Sequence, residues 1–196
     1  ASISQHVFNY LNDRVPSNFL NKSTVIKNGF GSAETISQEK SKALIQWLSN
    51  LEAQHEYMFF EADYELSWWT QKCLREADQI VLVADATKAK ELQEVDKVVA
   101  KLADANVSLA LVHPADTIMP KGTQHWLAER PFVNQHFHIP ENNDEAISRM
   151  ARIISGRANG IVLAGGGAKG FAHLGVFKML KKNGIPIDYV GGTSVG

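Results

Sequence analysis

Apolar residues along the chain fall alternately into helical and strand-like groupings. Ile3, Val7, Phe8, Leu11 and Val15 repeat at helical spacing, and Pro16 stops the helix they predict. Residues 24–27 predict a brief strand before a Gly29/Gly31 turn. Thr35 and Gln38 have capping-box spacing, at which each side chain can satisfy the other's backbone amide. The helix they would open buries Ile36, Leu44, Trp47, Leu48 and Leu51. A buried strand follows at 57–60, a helix at 66–76 and the strand Ile-Val-Leu-Val-Ala at 80–84. Residues 91–102 set Leu92, Val95, Val99 and Leu102 on one helical face. A strand at 107–112, closed by Pro114, precedes a short helix at 124–129 that stops at Pro131. A marginal strand at 137–139, a helix at 144–154 and a polar linker at 155–159 complete this part.

Strands alternating with helices of this length imply crossover units and a parallel sheet. The strand at 80–84 has no polar alternation, which predicts cover on both faces. The expectation is an α/β fold, with a three-layer parallel-sheet domain over residues 1–155. After the linker the pattern restarts: an apolar strand at 161–164, a glycine loop, a helix with Leu174, Phe177 and Leu180 on one face, and a strand at 187–191. Lys181, Lys182, Asn183 and Gly184 are stop signals for that helix.

Composition narrows the classes. At 196 residues the chain makes one large domain or two small ones. A formal charge of −1 gives no net field toward nucleic acid or an anionic membrane. The single cysteine, Cys73, makes no disulfide within the chain and no thiolate zinc site alone, which fits a reducing, cytoplasmic setting. No run approaches the roughly 20 apolar residues of a spanning helix. The polar start, ASISQHVFNYLNDR, is unlike a secretory signal, so any membrane anchor is expected outside these residues.

The chemistry gathers at the end. Gly165, Gly166, Gly167, Ala168, Lys169 and Gly170 follow a strand and open a helix. Glycines there let backbone amides converge on an anion, and the helix adds its positive end. Gly192-Thr193-Ser194-Val195-Gly196 is a G-x-S-x-G turn, which sets a serine on a sharp strand-to-helix bend with its oxygen exposed. Each motif alone is weak; the pair within one crossover unit is specific. Taken alone, Gly165-x-Gly167-x-x-Gly170 also fits a dinucleotide fingerprint, with Asp188 near the distance of the ribose acid. That reading leaves the serine turn unexplained, and Asp188 stands at the wrong end of its strand. A catalytically silent interaction domain is the third possibility.

The run IVLAGGGAKGFAHLGVFKMLKKNGIPIDYVGGTSVG resembles the opening of patatin-like phospholipases. The resemblance implies Ser194 as nucleophile and the amides around Gly166, Gly167 and Ala168 as oxyanion hole. It implies a phospholipid or lysophospholipid substrate, no cofactor or metal, no nucleic acid, and a membrane surface reached through the parent protein. Lys169 stands where that family usually has Arg, and would help fix the loop. The family's base is an aspartate in a D-G-[GA] motif. None occurs here, so it is expected beyond Gly196 and residues 160–196 are expected to be a truncated opening segment. Residues 54–87 are similar to the segment before the patatin domain in phospholipases of the neuropathy target esterase type. They also look like the central part of partitioning-type P-loop ATPases, with Asp63 and Asp85 at strand ends. No G-x-x-x-x-G-K-[ST] sequence occurs, so the expectation is a degenerate scaffold without nucleotide catalysis.

Other tempting residues have plainer roles. Asp63 and Asp85 suit turns or caps. His173 suits packing, and Asp188 bracing. Trp68 and Trp69 suit one rim and one core position. His136 and His138 share a strand face but lack a third ligand, and read as a polar sheet edge.

Overall fold

The computed structural model describes residues 2–88, 91–102 and 105–196. They divide into two compact units, Ala1–Ala146 and Ile147–Gly196. Every strand pairing is parallel, as the alternation of strands and helices predicts.

In the first unit, helix α1 (Ile3–Asn12) starts at Ser2, whose hydroxyl accepts the Gln5 amide. Strand β1 (Ser17–Asn21) follows, paired in register with β2 (Tyr57–Glu61). The sequence pattern does not announce β1. Its five residues SNFLN are mostly polar, and it is held by the β2 ladder together with Phe19 against Phe8. The expected strand at 24–27 is instead part of helix α2 (Lys22–Lys27). The Asn21 carboxamide accepts the Thr24 amide and so caps a helix exactly where β-branched residues suggested a strand. Helix α3 (Gln38–Glu52) is capped by Ser37, which accepts the Lys40 amide; Thr35 instead closes a turn through its carbonyl, to the Ser32 amide. The capping-box expectation therefore fails by two residues. Helix α4 (Trp68–Glu76) is capped by Ser67.

The first core joins Leu20, Val25, Leu44, Leu48, Trp69 and Cys73. Each fully buried large side chain contributes about 1.5–3 kcal/mol by its removal from water. Trp69 is wholly buried and donates its indole N–H to the Glu61 carbonyl at 2.8 Å, while Trp68 sits at the rim and donates to Ser32.

A second sheet runs in the order β3 (Gln79–Asp85), β4 (Asn106–His113), β5 (Gln135–Pro140), with α5 (Glu94–Val99) and α6 (Thr123–Ala128) in the connections. β3 is an edge strand and its Val83 is 53% exposed, so the expectation of cover on both faces fails there. The strand that meets it is β4, where the consecutive residues 107–111 are all buried. The Arg130 guanidinium donates to the buried Asp96 carboxylate at 2.9 and 3.0 Å and joins α5 to the end of α6.

The second unit contains most of α7 (Asp144–Ile154), strand β6 (Gly160–Leu163), a 3₁₀ turn at Gly167–Phe171, α8 (Ala172–Lys182) and β7 (Tyr189–Gly192). β6 and β7 pair over four residues, Gly160 with Tyr189 through Leu163 with Gly192. No residue of α8 is buried, and all of β7 is exposed. No helix among the described residues is long and apolar enough to cross a membrane.

Candidate active site

β6 and β7 run parallel, so their C-terminal ends lie side by side. The glycine loop leaves one end and the serine turn leaves the other, in the manner of ligand sites in parallel sheets. The ladder continues one step past the strands, where the Thr193 amide donates to the Leu163 carbonyl at 3.2 Å.

Ser194 has φ 57°, in the left-handed region that costs a non-glycine residue about 1–3 kcal/mol. The turn closes through the Gly196 amide, which donates to the Thr193 carbonyl at 2.9 Å. Two glycines are required by close approach. A Cβ on Gly196 would stand 2.2 Å from the Leu163 carbonyl oxygen, and one on Gly192 would stand 2.4 Å from the Gly196 backbone. Ser194 and its neighbours from Gly191 to Gly196 are exposed.

The loop lies against this turn. A Cβ on Gly165 would stand 3.2 Å from the Ser194 Cβ, and one on Gly170 would stand 2.5 Å from the Val195 side chain. Gly167 has φ 56°, a conformation that favours glycine. The Lys169 amide is taken by the Gly166 carbonyl at 3.2 Å. Gly167 and Ala168 open the 3₁₀ turn, where the first amides of a helix have no acceptor within it. The Lys169 side chain is exposed.

His173 donates Nε2–H to the Ala164 carbonyl at 2.9 Å and so ties the first turn of α8 to the end of β6. Asp188 is buried. Arg152 Nε donates to both of its carboxylate oxygens at 2.9 and 3.1 Å, Arg152 Nη2 to one at 2.8 Å, and the Asn159 amide to the other at 3.0 Å. Burial alone would push the Asp188 carboxyl up. The Arg152 and Asn159 hydrogen bonds, with the charges of Arg152 and Arg149, outweigh it and hold the carboxyl below its usual range. This carboxylate is consumed in an ion pair and is not presented to a ribose hydroxyl. The sequence pattern singles out Asp188 but not its partner Arg152, since a cation inside an amphipathic helix reads as surface.

The residues set apart in the first unit have local partners. Asp63 accepts from the Ser67 hydroxyl at 2.5 Å and pairs with Lys22 at 3.0 Å. Asp85 accepts from the Thr87 amide and hydroxyl at 2.9 and 2.6 Å, and these bonds hold its carboxyl low. His136 and His138 lie on the edge strand β5, and His138 Nδ1 shares a 2.7 Å hydrogen bond with Nε2 of the buried His113. Among the described residues no group of three or more His, Cys, Asp or Glu could hold a metal ion. Burial pushes the Cys73 thiol far up, so it is inert as a nucleophile.

Comparison with known proteins matches residues 2–159 to the Neuropathy Target Esterase family P-loop like domain and residues 161–196 to Patatin-like phospholipase. The chain is 32% identical to the patatin-like phospholipase domain-containing protein 7 of Rattus norvegicus, over 87% of its own length and 14% of that protein. It is 31% identical to the neuropathy target esterase sws of Drosophila melanogaster, over 89% of its length and 14% of that protein. It is 30% identical to the lysophospholipase NTE1 of Yarrowia lipolytica, over 76% of its length and 14% of that protein. The chain thus spans about a seventh of these relatives. No solved structure matches it.

Proposed function

Because this chain belongs to the neuropathy target esterase family, we propose that it carries the nucleophile and the oxyanion donors of a serine esterase acting on phospholipid or lysophospholipid. The observation that carries this reading is the approach of Gly165 to Ser194, which brings loop and elbow to one point.

In the proposed reaction the Ser194 oxygen bonds to the acyl carbon as its proton passes to a base. The tetrahedral oxyanion is held by the amides of Gly166, Gly167 and Ala168, while Lys169 steadies the loop. Each fixed donor of this kind is worth roughly 10²–10³ in rate. The ester C–O bond then breaks, the leaving alcohol takes the proton, and water hydrolyses the acyl-serine. The base is an aspartate of a D-G-[GA] motif, which these residues do not contain. Neither His173 nor Asp188 is a good substitute, since one donates to a carbonyl and the other is paired with Arg152. We assign residues 160–196 to the hydrolase domain and 1–155 to a scaffold without nucleotide catalysis. The two family matches, which meet between 159 and 161, support that division. A phospholipid substrate calls for work at a membrane surface, and we assign it to the cytoplasmic side, a reducing compartment that the lone, buried Cys73 suits.

A fluorophosphonate probe on the full-length protein tests the assignment. Labelling at Ser194, abolished in Ser194→Ala, is expected; a folded, complete protein that takes no label overturns it. Residues 1–196 alone are expected to show no ester turnover. Turnover by them that is lost in Ser194→Ala would return the base to His173 or Asp188.

A further inference from the structure

The strand that delivers Ser194 pairs with β6 over four positions. Just before β7 sits Asp188, bonded through its side chain and its backbone. The Asp188 side chain is 0% exposed and that of Arg152 is 7% exposed. Besides the carboxylate bonds from Arg152 and the Asn159 amide, Arg149 Nη2 donates to the Asp188 carbonyl at 2.8 Å. The Asp188 and Tyr189 amides donate back to the Asn159 carbonyl at 2.8 and 3.1 Å. One residue therefore gathers α7, the entry to β6 and the entry to β7.

We propose that Arg152 and Arg149 are positioning residues for the elbow: by clamping Asp188 they set the register of β7 on β6, and hence the place of Ser194 against the glycine loop. The inference rests on the serine-esterase reading above. The geometry favours it over a role in general stability for two reasons. The guanidinium of Arg152 meets both carboxylate oxygens, which fixes direction as well as distance. And the clamp lies only six residues before Ser194, with an extended strand between them that transmits a displacement along its length. Both arginines lie in the stretch that matches the P-loop like domain, and Asp188 lies in the stretch that matches the phospholipase. The helix that orders the elbow thus belongs to the segment that precedes the recognisable hydrolase sequence.

The test uses the full-length protein, a fluorophosphonate probe and a 4-nitrophenyl acyl ester. Misplacing reacting groups by about 1 Å costs up to roughly 10²-fold in rate. Arg152→Gln is accordingly expected to lower kcat and the maximal labelling rate by about 10- to 100-fold, with KM within about twofold of wild type. Arg152→Lys should recover part of the loss by restoring charge without the fork. Arg149→Gln, which removes one bond to a carbonyl and is the variant safest to fold, should lose about threefold. Wild-type kcat in folded Arg149→Gln and Arg152→Lys overturns the proposal. So does a loss that only tracks the unfolded fraction in melting curves, or a rise in KM at constant kcat. A wild type that takes no label at Ser194 overturns the esterase reading itself and this proposal with it, whereas a labelled wild type with unaffected variants overturns this proposal alone.

Discussion

Gly165 lies against Ser194: a Cβ added to the glycine would stand 3.2 Å from the serine Cβ and 3.4 Å from the Thr193 carbonyl oxygen. The contact is tight but not impossible. Gly165→Ala should therefore fold, with the elbow displaced by a few tenths of an ångström. A displacement of that size predicts a loss of about tenfold in labelling rate. Fluorophosphonate kinetics beside a melting curve check it; an unchanged rate would mean that the loop and the elbow do not act together.

The strain at Ser194 has its own signature. Its φ of 57° is one that glycine adopts freely and alanine does not. Both Ser194→Gly and Ser194→Ala should abolish labelling. Ser194→Gly should nonetheless be the more stable of the two by about 1 kcal/mol, despite the greater chain entropy of glycine. Urea unfolding of the two variants compares them directly.

The Arg152–Asp188 pair makes a pH-dependent contribution to stability. The Asp188 carboxyl is held below its ordinary 3.8. The pair's contribution is accordingly complete above that value and lost as pH falls through the lower folded value. At pH 7, Asp188→Asn leaves a buried guanidinium without its counter-charge and should cost about 3–5 kcal/mol. The gap between variant and wild type should close below about pH 3.8, which denaturant titrations at several pH values would show.

His138 gives the same direction of loss, in a higher pH range. Its burial first, and then electrostatic repulsion from His113 and His136, hold its imidazole below the ordinary 6.5. The folded state thus binds fewer protons than the unfolded chain, and stability drops as pH falls below about 6.5. His138→Gln should flatten the decline between pH 7.5 and 5.5 measured by urea unfolding. An equally steep decline would assign the protons elsewhere.

Much of this protein is written in local pattern. The period of apolar residues places α1, α3, α4, α7, β2, β4 and the α8 helix, because those elements bury or stripe enough apolar surface to show it. The loop and the elbow are legible because their glycines answer to backbone geometry, and backbone geometry has few residues that satisfy it. Three matters were decided by tertiary structure. β1 and α2 exchange places with the strand that Thr24, Val25 and Ile26 suggest, since the Asn21 cap and the β2 ladder outweigh β-branched propensity. The cover over 80–84 fails at Val83 because what packs on the faces of a strand depends on tertiary arrangement, which periodicity does not encode. And the partner of Asp188 is Arg152, 36 residues earlier; a charge pair of that separation leaves no mark on spacing and becomes visible only when the helix is laid on the strand.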